Sequence, residues 1–242
     1  MKQIIIVTGI IILLLTSNVN AKNINQTIGI KDIIQINLNF KIGRVNIYEG
    51  DCENINIKGK ITGNSSKGLE IKKINNIINI KQKLGFVPIK YGKTEIFVEI
   101  PSNYNKNISV NQSTGKLIIN KLNLDSLNIK CTAASVDIND IVFKSLILKT
   151  GSGWSNINLN KKSGNIKIDS NVGKSVLNVD QIGGDIIFDV GTMGGTIIIP
   201  QDSPINVHNS DNKKVDISAN FLDEGKYNLY LKPGVGKIKV NN

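Results

Sequence analysis

The feature that most constrains the fold is a pair of apolar residues, one position apart, that recurs about every 20 residues along the second half of the chain. One series of pairs steps by 19 or 20 residues, and an interleaved series steps by 18 to 21. The first series is Ile108/Val110, Leu127/Ile129, Leu146/Leu148, Ile166/Ile168, Ile186/Phe188 and Ile205/Val207, and the second is Leu117/Ile119, Val136/Ile138, Ile157/Leu159, Leu177/Val179, Ile197/Ile199 and Val215/Ile217. A fixed period of this length is typical of a solenoid.

The spacing inside each pair indicates a β-strand, because alternation places both apolar residues on one face. A strand this short can bury that face only if the next period stacks on it. The chain is 40% hydrophobic but only 5% aromatic, so its core must consist of Ile, Leu and Val, and no stretch has a helical period. We therefore predict an all-β, single-domain β-solenoid with coils of about 20 residues, each containing two short strands.

Glycines lie between the strands, where a sharp change of direction needs their permissive backbone. We expect corners at the following positions: Gly115, Gly153, Gly164, Gly173, Gly184, Gly195 and Gly236.

The regular coils span residues 106–242, whereas residues 22–105 form an irregular β portion. In that portion the segments Ile77–Lys83 and Thr94–Ile100 are longer strands joined by a loop with Gly and Pro, which predicts a hairpin. Open solenoid ends need caps. The irregular start and a final turn at Lys226–Val240 are the expected caps.

Residues 1–21 have the pattern of a secretory signal peptide. Lys2 precedes an apolar run from Ile4 to Leu15, and Val19 and Ala21 are small residues at the expected cleavage site. The run is shorter than the roughly 20 residues of a membrane-spanning helix. We expect cleavage after Ala21 and a periplasmic, surface-attached or secreted mature chain, with an uncleaved anchor as the alternative.

The formal net charge of +11 is carried almost entirely by lysine, since Arg44 is the only arginine. A basic exported protein is attracted to anionic surfaces, so the partners could be anionic envelope polymers or another envelope protein. The alternative is a compositional bias that places lysine on solvated strand faces. Arginine forks and aromatic platforms are scarce, which argues against nucleic acid as a partner.

Between Val98 and Lys130, and again downstream, the chain resembles the "putative adhesin" family of bacterial envelope proteins, whose repeat domain is called the toastrack. The matching pieces are Ile100-Pro101, Ser113-Thr114-Gly115, Gly151-Ser152-Gly153, Ser163-Gly164, Gly183-Gly184 and Gly234-Val235-Gly236-Lys237-Ile238. The resemblance implies an exported bacterial β-solenoid. It implies no particular ligand, and it transfers no catalytic or binding residue to this chain.

The residues predict no catalytic, cofactor or metal site. The candidate carboxylates fall mostly in different columns of the expected solenoid, and no two form an acid and base pair: Asp137, Asp140, Asp169, Asp180, Asp185 and Asp189. His208 is the only histidine, which excludes a multi-histidine metal site, and we expect it to be exposed or near a cap. Gly151–Gly153 lacks the following lysine of a phosphate loop and is interpreted as a corner.

Trp154, the only tryptophan, follows that corner and is the candidate for a ligand-binding residue. An aromatic ring at a solenoid edge can stack on a sugar ring. The alternative is that the indole covers the corner against the neighbouring coil.

The two cysteines are expected to stay unpaired. Cys131 continues the inward phase of Leu127 and Ile129, and we expect about four coils between it and Cys52. At about 4.8 Å per coil that separation is too long for a disulfide, unless the first portion folds back.

Taken together, the sequence predicts an exported, non-enzymatic scaffold of the cell envelope that binds, adheres or senses. The alternatives are a lyase or hydrolase acting on polysaccharide, and a passive structural or assembly component.

Overall fold

A computed structural model describes residues 22–62, 66–84, 93–222 and 224–242. The predicted signal peptide, residues 1–21, lies outside the described residues. None of the residues that are described lies in an α-helix, so this part of the chain contains no apolar helix long enough to span a membrane.

Eighteen strands form one continuous sheet that winds into a solenoid. The strands are β1 Lys22–Gly29, β2 Gln35–Gly50, β3 Asn54–Ile61, β4 Ser66–Ile74, β5 Ile77–Leu84, β6 Thr94–Pro101, β7 Asn107–Asn120, β8 Asn123–Asn139, β9 Val142–Ser152, β10 Ser155–Leu159, β11 Asn165–Val172, β12 Ser175–Val179, β13 Ile186–Val190, β14 Gly195–Ile198, β15 Ile205–Asn209, β16 Val215–Ile217, β17 Tyr227–Pro233 and β18 Ile238–Asn241.

Each regular coil has a first arm and a second arm that meet at a corner. In β2, β7 and β8 one bent strand supplies both arms, whereas later coils use two strands, such as β9 and β10. Neighbouring coils pair in parallel, and the first arms align the buried side chains of Ile108, Leu127, Leu146, Ile166 and Ile186 in one row. The predicted β-solenoid is confirmed, and this aliphatic row is one of the rows that form its core.

The second arms also stack, with a shift that the sequence did not predict. Ile157 aligns with Ile138, so Ser155 aligns with Val136. Leu159, treated above as the partner of Ile138, is instead an additional buried residue at the end of the arm. The 21-residue step between Val136 and Ile157, the longest of that series, reflects this shift in the sequence.

The first coil of the sequence does not lie at the end of the stack. β2 pairs in parallel with β7 on one side, and on the other side with β5 along its first arm and β6 along its second arm. The predicted hairpin of Ile77–Lys83 with Thr94–Ile100 is therefore wrong. β5 and β6 are two arms of one coil, because their apolar pairs stack on those of β2.

The hairpin of this region joins β4 to β5 instead. These strands are antiparallel and are connected by a two-residue turn, with Ile74 opposite Ile77 and Asn75 at a φ of 52°. Asparagine tolerates this left-handed conformation, which two-residue hairpin turns need. β3 adds antiparallel to β6, and β1 adds antiparallel to β3. These added strands cap the N-terminal end, as predicted for the irregular start.

At the C-terminal end, too, the order of the coils in the stack differs from their order in the sequence. β17 lies between β13 and β15, and β18 lies between β14 and β16. The expected cap at Lys226–Val240 is therefore an interior coil, and the outermost coil is formed by β15 and β16. The reason is packing: Leu229 and Leu231 are buried beside Ile186 and Phe188, whereas β15 offers Val207 and Asn209 at the corresponding positions.

The cysteines are both free, with Cys131 buried in β8 and Cys52 half-buried after β2. The expected four coils between them are wrong, because only the β7 coil separates β2 from β8. They are nevertheless at different positions around the coil, since Cys131 precedes a corner and Cys52 follows a second arm.

Candidate functional site: the glycine corner

The corner between the two arms is the most distinctive surface of the solenoid. We call it the glycine corner and define it by residues 41–44, 113–116, 132–135, 151–154, 171–174, 191–194 and 234–237. At Gly153 and Gly173 the backbone has φ values of 123° and 132°, which favour glycine. An added Cβ at Gly173 would lie 1.7 Å from the carbonyl oxygen of Gly153, so successive coils approach each other too closely for a side chain.

Backbone hydrogen bonds continue from coil to coil through this corner. The N–H of Gly153 donates to the carbonyl of Val172 at 3.1 Å, and the N–H of Gly236 donates to that of Gly191 at 3.0 Å. The corner is therefore part of the sheet ladder, and its side chains project from a fixed backbone.

Not all glycines predicted as corners lie here. Gly115, Gly153, Gly173 and Gly236 do, whereas Gly164 is in a connection between coils, where its N–H donates to the carbonyl of Phe143. Gly184 contacts that same connection. The assignment of Gly195 as a corner is wrong, because it lies in β14 and faces the Phe188 ring across the core.

One position of the corner carries a row of cations. Arg44, Lys116, Lys174 and Lys237 each follow a corner glycine, and Trp154 holds the same position in the β9/β10 coil. Ser135 and Gly194 hold it in the β8 and β13/β14 coils, so the row of cations is interrupted. Arg44, Trp154, Lys174 and Lys237 are exposed. The sequence analysis missed this row, although the signal was present as Gly-Lys or Gly-Arg at matching points of the repeat.

The segments of the glycine corner contain no aspartate or glutamate, whereas the equivalent turn of the outermost β15/β16 coil carries Asp211, which pairs with Lys214. Acidic groups beside the row come from second arms: the Asp137 carboxylate lies 2.6 Å from the Lys116 ammonium group, and Glu95 in β6 is aligned with Arg44. With Lys116 partly neutralised in this way, Arg44, Lys174 and Lys237 are the row's exposed cations.

The backbone of Trp154 is held in the sheet ladder, whereas its side chain is exposed. Its carbonyl accepts a hydrogen bond from the N–H of Val136 at 2.8 Å, while 61% of the residue surface is exposed. Most of the Trp154 surface is therefore free to contact a ligand, and only the smaller, buried fraction covers the corner.

A second surface is a polar groove of about 600 Å³ at the ends of the second arms that are far from the glycine corner. It is lined by Lys121, Asp140, Asn160 and Lys161 among others. Its charges are mixed, and the side-chain amide of Asn160 already donates to the Asp140 carboxylate. The groove therefore offers less unpaired charge than the glycine corner.

The candidate carboxylates are spread over the solenoid, with one exception. Asp169 and Asp189 lie side by side on adjacent coils, flanked in the same column by Lys149 and Lys232. The expectation of different columns is wrong for this pair, because the two residues are one 20-residue period apart. Asp185 accepts a hydrogen bond from the backbone N–H of Asn228 at 2.9 Å.

His208 is exposed on the outermost coil, as expected. Its ring stacks on Tyr230 with centroids 4.7 Å apart, and Nε2 lies 3.1 Å from Oδ1 of Asn228. Within the described ranges no three His, Cys, Asp or Glu side chains are close enough to hold a metal ion.

The interior behind the glycine corner contains a polar row that the sequence analysis did not identify. Gln112, Cys131, Thr150 and Ser170 are aligned on successive coils and are all buried. Burial raises the pKa of the Cys131 thiol to about 12. The signal was the 19- or 20-residue spacing of these residues from the predicted inward position of Cys131.

Comparisons with known proteins agree with this architecture. A crystal structure named as a putative cell adhesion protein from Clostridium sporogenes has a TM-score of 0.51 and 15% identity, covering 92% of this chain and 99% of that one. Another, named as a putative adhesin from Bacteroides fragilis, has a TM-score of 0.51 and 14% identity, covering 90% and 97%. These likenesses show the fold. No curated protein matches the sequence.

The family assignment comes from the sequence match. The model of the family described as Toastrack DUF4097 matches residues 33–223, which include every coil except the one that inserts at the C-terminal end. This chain belongs to the Toastrack DUF4097 family.

Proposed function

We propose that this chain is a non-catalytic binding protein of the cell envelope and that the glycine corner is its binding surface. Residues 1–21 serve as the export signal, and residues 22–242 form a single domain that acts outside the cytoplasm. The single observation that carries the proposal is the row of exposed cations on corner segments that have no acidic residue. Such a row attracts anionic surfaces.

The geometry favours binding over catalysis. The corner places cations and an indole on a rigid ladder, but it brings no acid and base together. The Asp169 and Asp189 pair lies on the flat outer face of the first arms, between two lysines and away from the polar groove. The names of the two structural neighbours, a putative cell adhesion protein and a putative adhesin, also support a binding role.

The test is retention of the protein on isolated cell-envelope fractions at low and high salt. A chain of residues 22–242 includes every described residue, and its fold is checked by circular dichroism. We expect retention that is strong at low salt and weaker at high salt, because exposed charges are screened. The double variant Lys174→Gln/Lys237→Gln should bind several-fold more weakly, whereas Lys58→Gln/Lys60→Gln, with the same charge change on β3, should bind normally.

Equal binding by both double variants would contradict the glycine corner as the binding surface. The rival function is a polysaccharide lyase or hydrolase. It predicts new reducing ends or unsaturated products when the protein is incubated with acidic glycans.

A further inference from the structure

The glycine corner carries a line of exposed apolar side chains next to its cations. Trp154, Val172, Met193 and Val235 are exposed by 61%, 43%, 54% and 77%. They lie on the β9/β10, β11/β12, β13/β14 and β17/β18 coils, which follow one another in the stack. At about 4.8 Å per coil the line is roughly 14 Å long.

Val172 and Val235 occupy one column with Thr192 between them, and Met193 occupies the next column, between Gly173 and Gly236. Val172, Met193 and Val235 each precede a corner glycine, and an added Cβ at Gly236 would meet Met193 and Gly194. On the preceding coils the column of Val172 holds Ile42, which is half-buried, and then Thr114, Ala133 and Ser152. Among the described residues, the exposed large apolar side chains of the corner are therefore confined to its C-terminal half. Isolated exposed apolar residues are common, but a contiguous line of them marks an interaction surface.

The cations lie directly behind this line. Lys174 and Lys237 are two residues after Val172 and Val235, so each pair brackets a corner glycine and projects from the same turn. The backbone that carries them is fixed by the hydrogen bonds between coils. Binding through these side chains therefore requires little ordering of the protein.

We propose that this half of the glycine corner binds the surface of an anionic lipid bilayer. The side chains of Trp154, Val172, Met193 and Val235 enter the boundary between headgroups and acyl chains, and Lys174 and Lys237 contact lipid phosphates. The proposal rests on the proposed function and names its ligand. Tryptophan is favoured at that boundary, and lysines beside an apolar element are attracted to anionic headgroups.

A bilayer fits these side chains better than a glycan does. Sugar recognition combines an aromatic face with hydrogen-bonding groups, and the side chains of Val172, Met193 and Val235 have no group that donates a hydrogen bond. An acyl boundary accepts all three.

The test uses Trp154 as a reporter, since it is the only tryptophan. Residues 22–242 are mixed with vesicles of phosphatidylcholine alone, or of phosphatidylcholine and phosphatidylglycerol in equal parts. With the anionic vesicles we expect a blue shift of the Trp154 emission and quenching by brominated acyl chains. Raised salt should weaken the binding but leave part of it, because the apolar contribution is not screened.

Variants separate the two contributions. Met193→Ser/Val235→Ser leaves the charge unchanged and should weaken binding to anionic vesicles by about tenfold or more. Lys174→Gln/Lys237→Gln should remove the preference for anionic vesicles. Ile74→Ser, an exposed apolar residue at the β4–β5 turn, is the matched control and should bind normally.

An unchanged Trp154 emission at saturating vesicle concentrations would overturn the proposal, as would normal binding by Met193→Ser/Val235→Ser. Salt-sensitive retention on envelope fractions without any binding to pure lipid vesicles would overturn the bilayer as ligand and leave the proposed function intact. The absence of binding in both assays would overturn both.

Discussion

The ring of Phe188 occupies the space that a side chain at position 195 would need. Phe188 is on the first arm of its coil and Gly195 begins the second arm, and an added Cβ at Gly195 would lie 2.6 Å from two ring atoms. In the same row the preceding coils have Ser155 and Ser175, so the side chains of the second arm become smaller where the aromatic ring enters. The packing of this coil therefore depends both on the large Phe188 ring and on the absence of a side chain at Gly195.

We therefore expect Gly195→Ala to lower the free energy of unfolding by about 1 to 3 kcal/mol, because overpacking a dense core displaces its neighbours. Chemical denaturation measures the effect. Gly29→Ala is the matched control, since its added Cβ would meet Asn54 at an ordinary 3.6 Å. Phe188→Leu should recover part of the loss in the Gly195→Ala background. Equal stability of Gly195→Ala and the wild type would contradict the steric account.

The repeat made the coil predictable, but it could not reveal the order of coils in space. Ile205/Val207 continues the 20-residue period after Ile186/Phe188, and Leu229/Leu231 fits the same row equally well. The choice between them depends on which pair buries more completely beside Phe188, and that is a property of packing rather than of spacing. The same ambiguity hid the interior position of β2.

The candidate site was predictable only in part. Trp154 and the glycines were visible because their residue types are unusual. The cation row and the apolar line were not, because each member looks like an ordinary exposed residue until the coils are aligned. Val172 and Met193, for example, are recognised as neighbours only when the alignment places them in adjacent columns of successive coils.

The exchanged order at the C-terminal end predicts unequal protection of the last strands. β17 is paired on both sides, whereas β15 has β17 on one side and no strand of the described chain on the other. Amide hydrogen exchange should therefore be slower in β17 than in β15, although β17 is closer to the chain end. Deleting residues 224–242 should also release β15, since its only strand partner would be lost. Faster exchange in β17 than in β15 would contradict the inserted coil.

The Cys131 thiol predicts a pH dependence of stability. An unfolded cysteine has a pKa of about 8.5, and burial raises that of Cys131 to about 12. Between these values the unfolded chain loses a proton that the folded chain keeps. The free energy of unfolding is thus unaffected by this thiol below about pH 8.5 and falls as the pH rises, by up to about 1.4 kcal/mol per pH unit.

Denaturation of the wild type and Cys131→Ala at several pH values between 8 and 10 tests this expectation. The slopes of the free energy of unfolding against pH are compared, so a difference in absolute stability between the two proteins does not matter. The wild type should have the steeper decline, and Cys52→Ala should keep most of it because Cys131 is retained. Native protein should also react with a thiol reagent at Cys52 well before Cys131, which is buried. Equal slopes in wild type and Cys131→Ala would contradict the assigned burial.

Two buried hydroxyls give a matched pair of opposite predictions. The Thr150 hydroxyl is buried and has no hydrogen-bond partner among the described residues, whereas the Ser155 hydroxyl donates to Ser175 at 2.8 Å. Thr150→Val removes an unsatisfied group at nearly constant shape, and it should raise the free energy of unfolding by about 1 kcal/mol. Ser155→Ala leaves its partner unsatisfied and should lower it by about 1 to 2 kcal/mol. If Thr150→Val instead destabilised the protein as much as Ser155→Ala does, the Thr150 hydroxyl would have to be hydrogen-bonded in solution, and the polar row behind the glycine corner would be hydrated.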